Sequence, residues 1–302
     1  MRILGTGSAR PKAVLTNDML STMVDTNDEW IRSRTGIRSR YIADDSETTI
    51  SLALEAAEQA LAASGIDRAG IGLVICATCT NELRCPSIAC SLQRDMGLPM
   101  NILAFDLNAA CSGFIYSLIV ASHFVSPGSA ALIVGTEVLS RFTDFTDRDT
   151  CVLFGDGAGA AIVVADDAPL PWVAEAKGDE HILSVDSHIH MDGQAVFKFA
   201  VGTLAKNVQD VLAIAQLGVD DVALFICHQA NERIIAAAAK RLGVPLERFF
   251  MNLSNYGNTS AASVPLALDE AVRTGRLHSG DIVVLAGFGG GLTAGAVCFT
   301  WN

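Results

Sequence analysis

The chain has 302 residues, half of them hydrophobic, with 26 glycines and a formal net charge of −12. That apolar content supports a large buried core, as one double-sized domain or two halves, and excludes a disordered chain. The acidic balance repels a phosphate backbone, so nucleic acid is a poor partner and an anionic ligand needs a local basic patch.

The first residues, "MRILGTGSARPK", lack the long apolar core of a signal peptide. Runs such as "IGLVICA" and "ALIVG" fall far short of the ~18 residues of a membrane span. The expectation is a soluble cytoplasmic protein with reduced cysteines. "GTGSAR" (5–10) follows a short strand, but Pro11 interrupts the sequel and no helix opens, so the dinucleotide fingerprint is incomplete. "TTISLALEAAEQALAASG" (48–65) repeats apolar residues at three- and four-residue intervals, which predicts a helix stopped by Gly65. "IGLVICATCT" (71–80) reads as a buried strand ending in a polar turn. Its Cys76 and Cys79 form a C-x-x-C with no second pair, so no metal site is expected. Cys85, Cys90, Cys151, Cys227 and Cys298 read as small packing residues.

Further on, "AALIVGTEVL" (130–139) and "DGAGAAIVVA" (156–165) read as strands, and a boundary falls near Asp166–Pro171. "AVFKFAVGTLAKNVQDVLAIAQLG" (195–218) predicts a second long helix, stopped by Gly218. "VALFICHQAN" (222–231) echoes residues 71–80, "DIVVLAGFGG" (281–290) echoes 130–139, and "LTAGAVCFTW" (292–301) echoes 156–165. The helical stretches "NERIIAAAAKRLG" and "SAASVPLALDEAVRTG" continue the alternation. Strands alternating with helices imply an α/β fold with mainly parallel sheets covered by helices, duplicated as halves 1–165 and 166–302. "GDGAGA" and "GFGGGLTAG" lead into strands, so neither has the context of a nucleotide loop.

Three residues could carry chemistry. Cys111 in "AACSGFIYSLIVASHFV" stands at the mouth of a buried helix, where free N–H groups and the macrodipole favour a thiolate. It reads as a nucleophile or as a buried structural thiol. His228 stands where a buried strand ends and a helix is about to begin, a ligand-gathering position or a mere cap. Asn258 in "NYGNTSAASVP" is equally readable as a turn residue. Together, beside a "GFGGG" loop whose backbone can approach a substrate oxygen, they suggest one site. Arg233, Lys240 and Arg241, seven and eight residues apart, share one helix face as a basic patch or a solvated surface.

The ordered set "GTGS", "DTNDEWIRSRTGI", "AACSGF", "TDRDT", "FGDGAGAA", "ICHQANERII", "GNTSAASVPLALDEAV" and "GFGGGLTAG" spans nearly the whole chain. It resembles the thiolase-like condensing enzymes, and within them the β-ketoacyl-(acyl carrier protein) synthase III family. The resemblance implies a layered αβαβα fold of two similar halves, as a homodimer. It implies decarboxylative condensation of an acyl-CoA primer with malonyl-acyl carrier protein, the initiating step of fatty acid synthesis. A secondary-metabolism relative with another acceptor is the alternative. No permanently bound cofactor or metal is expected, with a coenzyme A thioester as substrate. By this resemblance Cys111 accepts the acyl group, His228 and Asn258 act in decarboxylation and condensation, and the N–H groups of Cys111 and Gly289 form the oxyanion hole. Trp30 and Arg148 hold the adenine end of coenzyme A, while Arg34 and Arg233 line the pantetheine entrance. Phe288 packs beside the nucleophile, and Cys85, Phe154 and Phe288 shape the acyl pocket. Arg233, Lys240 and Arg241 dock the acidic carrier protein. Cys85 stands where relatives often carry a phenylalanine that closes the pocket across the dimer interface. "GGLTAG" lacks a tryptophan often found there, and the 177–198 segment is short.

Overall fold

Alternation along the buried strands fixes the layering. In the run Ile71–Ala77, Leu73 and Ile75 point into one core while Val74 and Cys76 point into another. In Val222–Cys227, Leu224 and Ile226 join the first of these cores while Phe225 and Cys227 face a third. Period-two side-chain alternation therefore gives each sheet an inner face toward the shared core and an outer face toward its own helices. The computed structural model describes residues 1–302.

One sheet comprises β1 (Arg2–Ala9), β2 (Ile71–Ala77), β3 (Leu103–Leu107), β4 (Ala130–Glu137) and β5 (Gly157–Val164), in the order β1-β5-β4-β2-β3. The other comprises β6 (Trp172–Ala176), β7 (Val222–Cys227), β8 (Ile282–Gly289) and β9 (Thr293–Thr300), in the order β7-β8-β9-β6. Strand β2 is parallel to both β3 and β4, and β7 is parallel to β8. The remaining neighbours in both sheets are antiparallel. The sheets are thus mixed, not mainly parallel as the alternation suggested. The reason is local: β8 and β9 are joined by a turn at 290–292, too short for a crossover helix.

Helix α1 (Thr49–Ser64) opens with a reciprocal cap between Thr48 and Ser51 and ends at Gly65, whose φ of 68° suits glycine. It covers the outer face of the first sheet. Helices α2 (Gly113–Phe124) and α5 (Ser263–Arg273) lie between the sheets, within the shared core. Helices α3 (Gly193–Ala215) and α4 (Glu232–Leu242) cover the outer face of the second sheet. The result is the five-layered αβαβα stack. Phe114 on α2 is fully buried between the sheets, so Phe114→Ala is expected to cost about 3–5 kcal/mol of stability.

Two local expectations are corrected. "GTGS" does not follow β1 but lies inside it. A Cβ at Gly7 would sit 2.2 Å from the Ala56 carbonyl oxygen and one at Gly5 2.4 Å from the Ser64 nitrogen, so these glycines let α1 press on the strand. Helix α3 stops not at Gly218 but at Gln216, which takes the left-handed conformation with φ 57°. Its N–H reaches the Ala213 carbonyl and closes the last turn.

The duplicated halves share a fine detail. The parallel pairing of β2 with β4 slips between Ile71 and Leu73, and that of β7 with β8 slips between Val222 and Leu224. The same irregularity therefore recurs at equivalent places in "IGLVICA" and "VALFIC".

Candidate active site

Cys111 is reached through a constrained approach. After β3, Ala110 takes a φ of 45°, a 3₁₀ turn spans Ala110–Ser112, and α2 begins at Gly113. A Cβ at Gly113 would meet the Ala77 Cβ at 2.9 Å, so glycine lets the helix start against β2. Gly289 faces Cys111 from β8: a Cβ there would lie 2.7 Å from the Cys111 Cβ and 3.0 Å from its sulfur. Only glycine permits this approach. The helix mouth does not leave Cys111 as a resting thiolate. Burial pushes its thiol up to about 11, although the Ser260 side chain and the Gly290 N–H pull it back. Here desolvation outweighs the helix terminus.

His228 follows β7 directly, and its N–H donates to the Ala286 carbonyl at 2.8 Å. Its Nδ1 lies 2.6 Å from Ser263 Oγ, and the Phe288 ring packs on it edge-on at 5.1 Å. Burial pulls its pKa down to about 3, so the ring is neutral at working pH. Asn258 is clamped to the other half: its N–H donates to the Leu153 carbonyl at 2.8 Å, and its carbonyl accepts from Gly155 at 3.0 Å. Its Oδ1 accepts from the Ser260 N–H at 2.9 Å, which turns the amide's NH₂ toward the open space.

Cys111, His228 and Asn258 line one cavity of about 770 Å³. A second cavity of about 360 Å³ opens behind Cys111, lined by Cys79, Leu139, Ile189 and Ser260. Cys111 and Phe154 belong to both, so Cys111 stands at the junction of an outer channel and an inner pocket. Trp30, Arg34, Arg233, Phe288 and Gly289 line the outer channel. Arg148 lies beyond the lining, but its guanidinium stacks on the Trp30 ring at 5.0 Å, with Arg34 at 5.7 Å.

Other expected residues stand apart. Cys85 is exposed and lines neither cavity of its own chain, and Phe288 borders the outer channel and not the inner pocket. Cys90 is exposed too, so neither Cys85 nor Cys90 is a packing thiol; the turn before Ser87 and the first turn of the helix Ile88–Asp95 leave them at the surface. Cys151, Cys227 and Cys298 are buried as packing residues. Arg233 stacks over Phe197 at 5.7 Å, Arg241 donates to the Val201 carbonyl at 3.1 Å, and Lys240 is exposed.

Several contributors escaped the sequence reading. Glu137 is fully buried and accepts from Thr80 Oγ1 at 2.6 Å, Ser260 Oγ at 3.0 Å and Thr78 Oγ1 at 3.1 Å. Burial pushes its carboxyl up, against these donors. The Cys79 N–H donates to the same carboxylate at 3.1 Å and its sulfur at 3.4 Å, so Cys79 belongs to the inner pocket. The available signal was a lone acidic residue in the apolar strand "ALIVGTEVL". Ser260 and Ser263 carried none, being two serines in a small-residue run.

Known proteins resemble the chain in sequence and in fold. The sequence model of 3-oxoacyl-[acyl-carrier-protein (ACP)] synthase III matches residues 105–179, and that of its C-terminal part matches 212–301. A β-ketoacyl-[acyl-carrier-protein] synthase III of Xanthomonas campestris is 48% identical, over 98% of this chain and 96% of its own. One from Roseiflexus castenholzii is 46% identical, over 99% and 98%. The crystal structure of a 3-oxoacyl-[acyl-carrier-protein] synthase III from Aquifex aeolicus superposes with a TM-score of 0.95 at 43% identity, covering 99% of each chain. On sequence, fold and the ordering of its cysteine, histidine and asparagine, the chain belongs to the 3-oxoacyl-[acyl-carrier-protein] synthase III family.

Proposed function

We propose that the chain passes an acyl group from acyl-CoA to Cys111 and then condenses it with malonyl-acyl carrier protein, giving the β-ketoacyl product that starts a fatty acid. The convergence of Cys111, His228 and Asn258 on one cavity carries this reading. In the first step the thioester bond to coenzyme A breaks, a thioester to Cys111 forms, and the thiol proton leaves on the departing coenzyme A sulfur. The exchange is nearly symmetric, so orientation and an oxyanion hole suffice; the backbone N–H groups at the Cys111 sulfur are its own and that of Gly290, which suits Gly290 to this role in place of the expected Gly289. In the second step loss of CO₂ from the malonyl thioester generates an enolate. Two N–H donors, from neutral His228 and from Asn258, stabilise its oxygen without protonating the carbon, which then attacks the acyl carbonyl; the thioester bond to Cys111 breaks, and the departing thiolate takes a proton from solvent to restore the thiol. The chemistry balances without a permanently bound cofactor or metal.

Trp30, stacked by Arg148 and Arg34, is suited to the adenine end of coenzyme A, and Arg233 to the channel mouth. The α4 face with Arg233, Lys240 and Arg241 offers positive charge on an otherwise acidic protein, the polarity an acidic carrier protein requires. The nucleophile then belongs to the half 1–165 and both donors to the half 166–302.

Strand β3 is an unpaired sheet edge, with Leu103 53% and Phe105 36% exposed, which favours a homodimer built on that edge. In such a dimer Cys85 would reach the inner pocket of the partner subunit, not its own. No helix is long and apolar enough to cross a membrane, consistent with work in the cytoplasm. The test is intact-mass detection of an acyl-enzyme, followed by malonyl-carrier protein and product mass. An adduct without a β-ketoacyl product would leave only an acyltransferase.

A further inference from the structure

We propose that Ser263 is a positioning residue that sets the tautomer of His228, so that the ring carries its proton on Nε2, facing the cavity. The inference rests on the condensing role given above to His228. A neutral imidazole holds one proton on one of two nitrogens, and the partner of one nitrogen decides the state of the other. Ser263 Oγ stands 2.6 Å from Nδ1. Both residues are 1% exposed, so water does not serve this contact from outside.

Counting protons gives the direction of the bond. Ser263 Oγ receives the Gln229 N–H, at 3.5 Å, and that group can only donate. The hydroxyl has one proton of its own, and Nδ1 is the single acceptor it meets. If Nδ1 carried the proton instead, two donors would face Oγ and the hydroxyl proton would be left buried and unpaired. The hydroxyl therefore donates to the Nδ1 lone pair. Nε2, which makes no hydrogen bond within the protein, then carries the N–H, on the side of the ring away from Ser263 in a residue that lines the 770 Å³ cavity.

The placement is rigid. Ser263 is the first residue of α5, whose following residues Val264, Ala267, Leu268 and Ala271 are locked in the core between the sheets. The His228 backbone is tied to Ala286 and its ring is wedged by Phe288. Asn258 is treated alike, since the Ser260 N–H occupies its Oδ1 and leaves NH₂ as the free end. One short segment, 258–263, thus presents both donors as donors.

A consequence separates the two half-reactions. With a proton on Nε2, His228 cannot take the Cys111 proton, so acylation is indifferent to Ser263 while enolate stabilisation depends on it. The test uses the full chain labelled with ¹⁵N-histidine, with His228 assigned by its loss in His228→Gln. A protonated Nε2 and an unprotonated Nδ1 are expected in the wild type; a protonated Nδ1 would overturn the proposal without any variant.

In Ser263→Ala, acylation of Cys111 should stay within about twofold while condensation falls by roughly tenfold or more, the usual range for a lost orienting partner. Ser263→Thr, which restores a hydroxyl, should recover most of it. Unchanged condensation in Ser263→Ala, or equal loss of both steps with no recovery in Ser263→Thr, refutes the positioning role. Should the wild type acylate yet form no β-ketoacyl product, the proposed function fails, while the nitrogen spectrum still decides the tautomer.

Discussion

The turns that open the two central helices use the same backbone for different work. Ala110 and Ser260 hold φ values of 45° and 48°, and each begins a 3₁₀ turn followed at once by a helix between the sheets. In the first turn the next residue is Cys111; in the second it is Ala261, with Ser263 below His228. The equivalent strands β2 and β7 differ in the same sense: β2 runs out through Ala77, β7 through Cys227 into His228. A duplicated frame has kept two strained approaches, and the proposed chemistry is divided between them, with Cys111 in one half and His228 and Asn258 in the other. Ser260 joins the two, since its N–H holds Asn258, its hydroxyl reaches Glu137, and its side chain lies against Cys111.

The division can be broken most severely at the nucleophile. Cys111→Ala should abolish the acyl adduct seen by intact mass, and an adduct that persists would move the nucleophile elsewhere. Gly289→Ala should be nearly as damaging, because its Cβ would press on the Cys111 Cβ at 2.7 Å; thiol alkylation and acylation should fall together.

On the other side of the division, Asn258→Ala should leave acylation largely intact and slow condensation by about 10²–10³-fold. Equal loss in both steps would erase the distinction between the halves. The pH profile sharpens it further. Because the Cys111 thiol titrates at about 11, its alkylation should quicken about tenfold per pH unit between pH 7 and 10. Because His228 titrates at about 3, condensation from preformed acyl-enzyme should show no histidine inflection above about pH 5. A rise near pH 6.5 in that step would mean that His228 is not held neutral.

Smaller effects lie at the rims. Lys240→Glu should raise the KM for malonyl-carrier protein several-fold, with a weaker effect on malonyl-CoA. Identical behaviour toward the two would make that helix face an ordinary solvated surface. The finest change concerns primer length, where Cys85→Phe should penalise long acyl-CoA primers only in a dimer, by about fourfold for each methylene displaced. Cys79, which lines the inner pocket of its own chain, should shorten the series as Cys79→Phe whatever the oligomeric state. Comparing kcat/KM across a homologous primer series for both variants separates the two walls.

Much of this was legible in the residues. The helix over 49–64 and its glycine stop follow from spacing and a left-handed residue that only glycine adopts cheaply. The likeness of 71–80 to 222–231 foretold equivalent strands, and the structure adds a matching slip of register in both. Gln216 misled because a left-handed helix end is open to residues other than glycine where tertiary packing outweighs the local cost.

Local pattern determined the elements and the duplicated order and nominated Cys111, His228 and Asn258 as candidates, because periodicity and turn chemistry act between residues close in the chain. Tertiary structure alone decided what those side chains can do. Cys111, His228 and Asn258 become one site only when the sheets stack. Burial then turns an expected thiolate into a thiol and holds the imidazole neutral. Desolvation depends on everything packed around a group, and no window of sequence contains that.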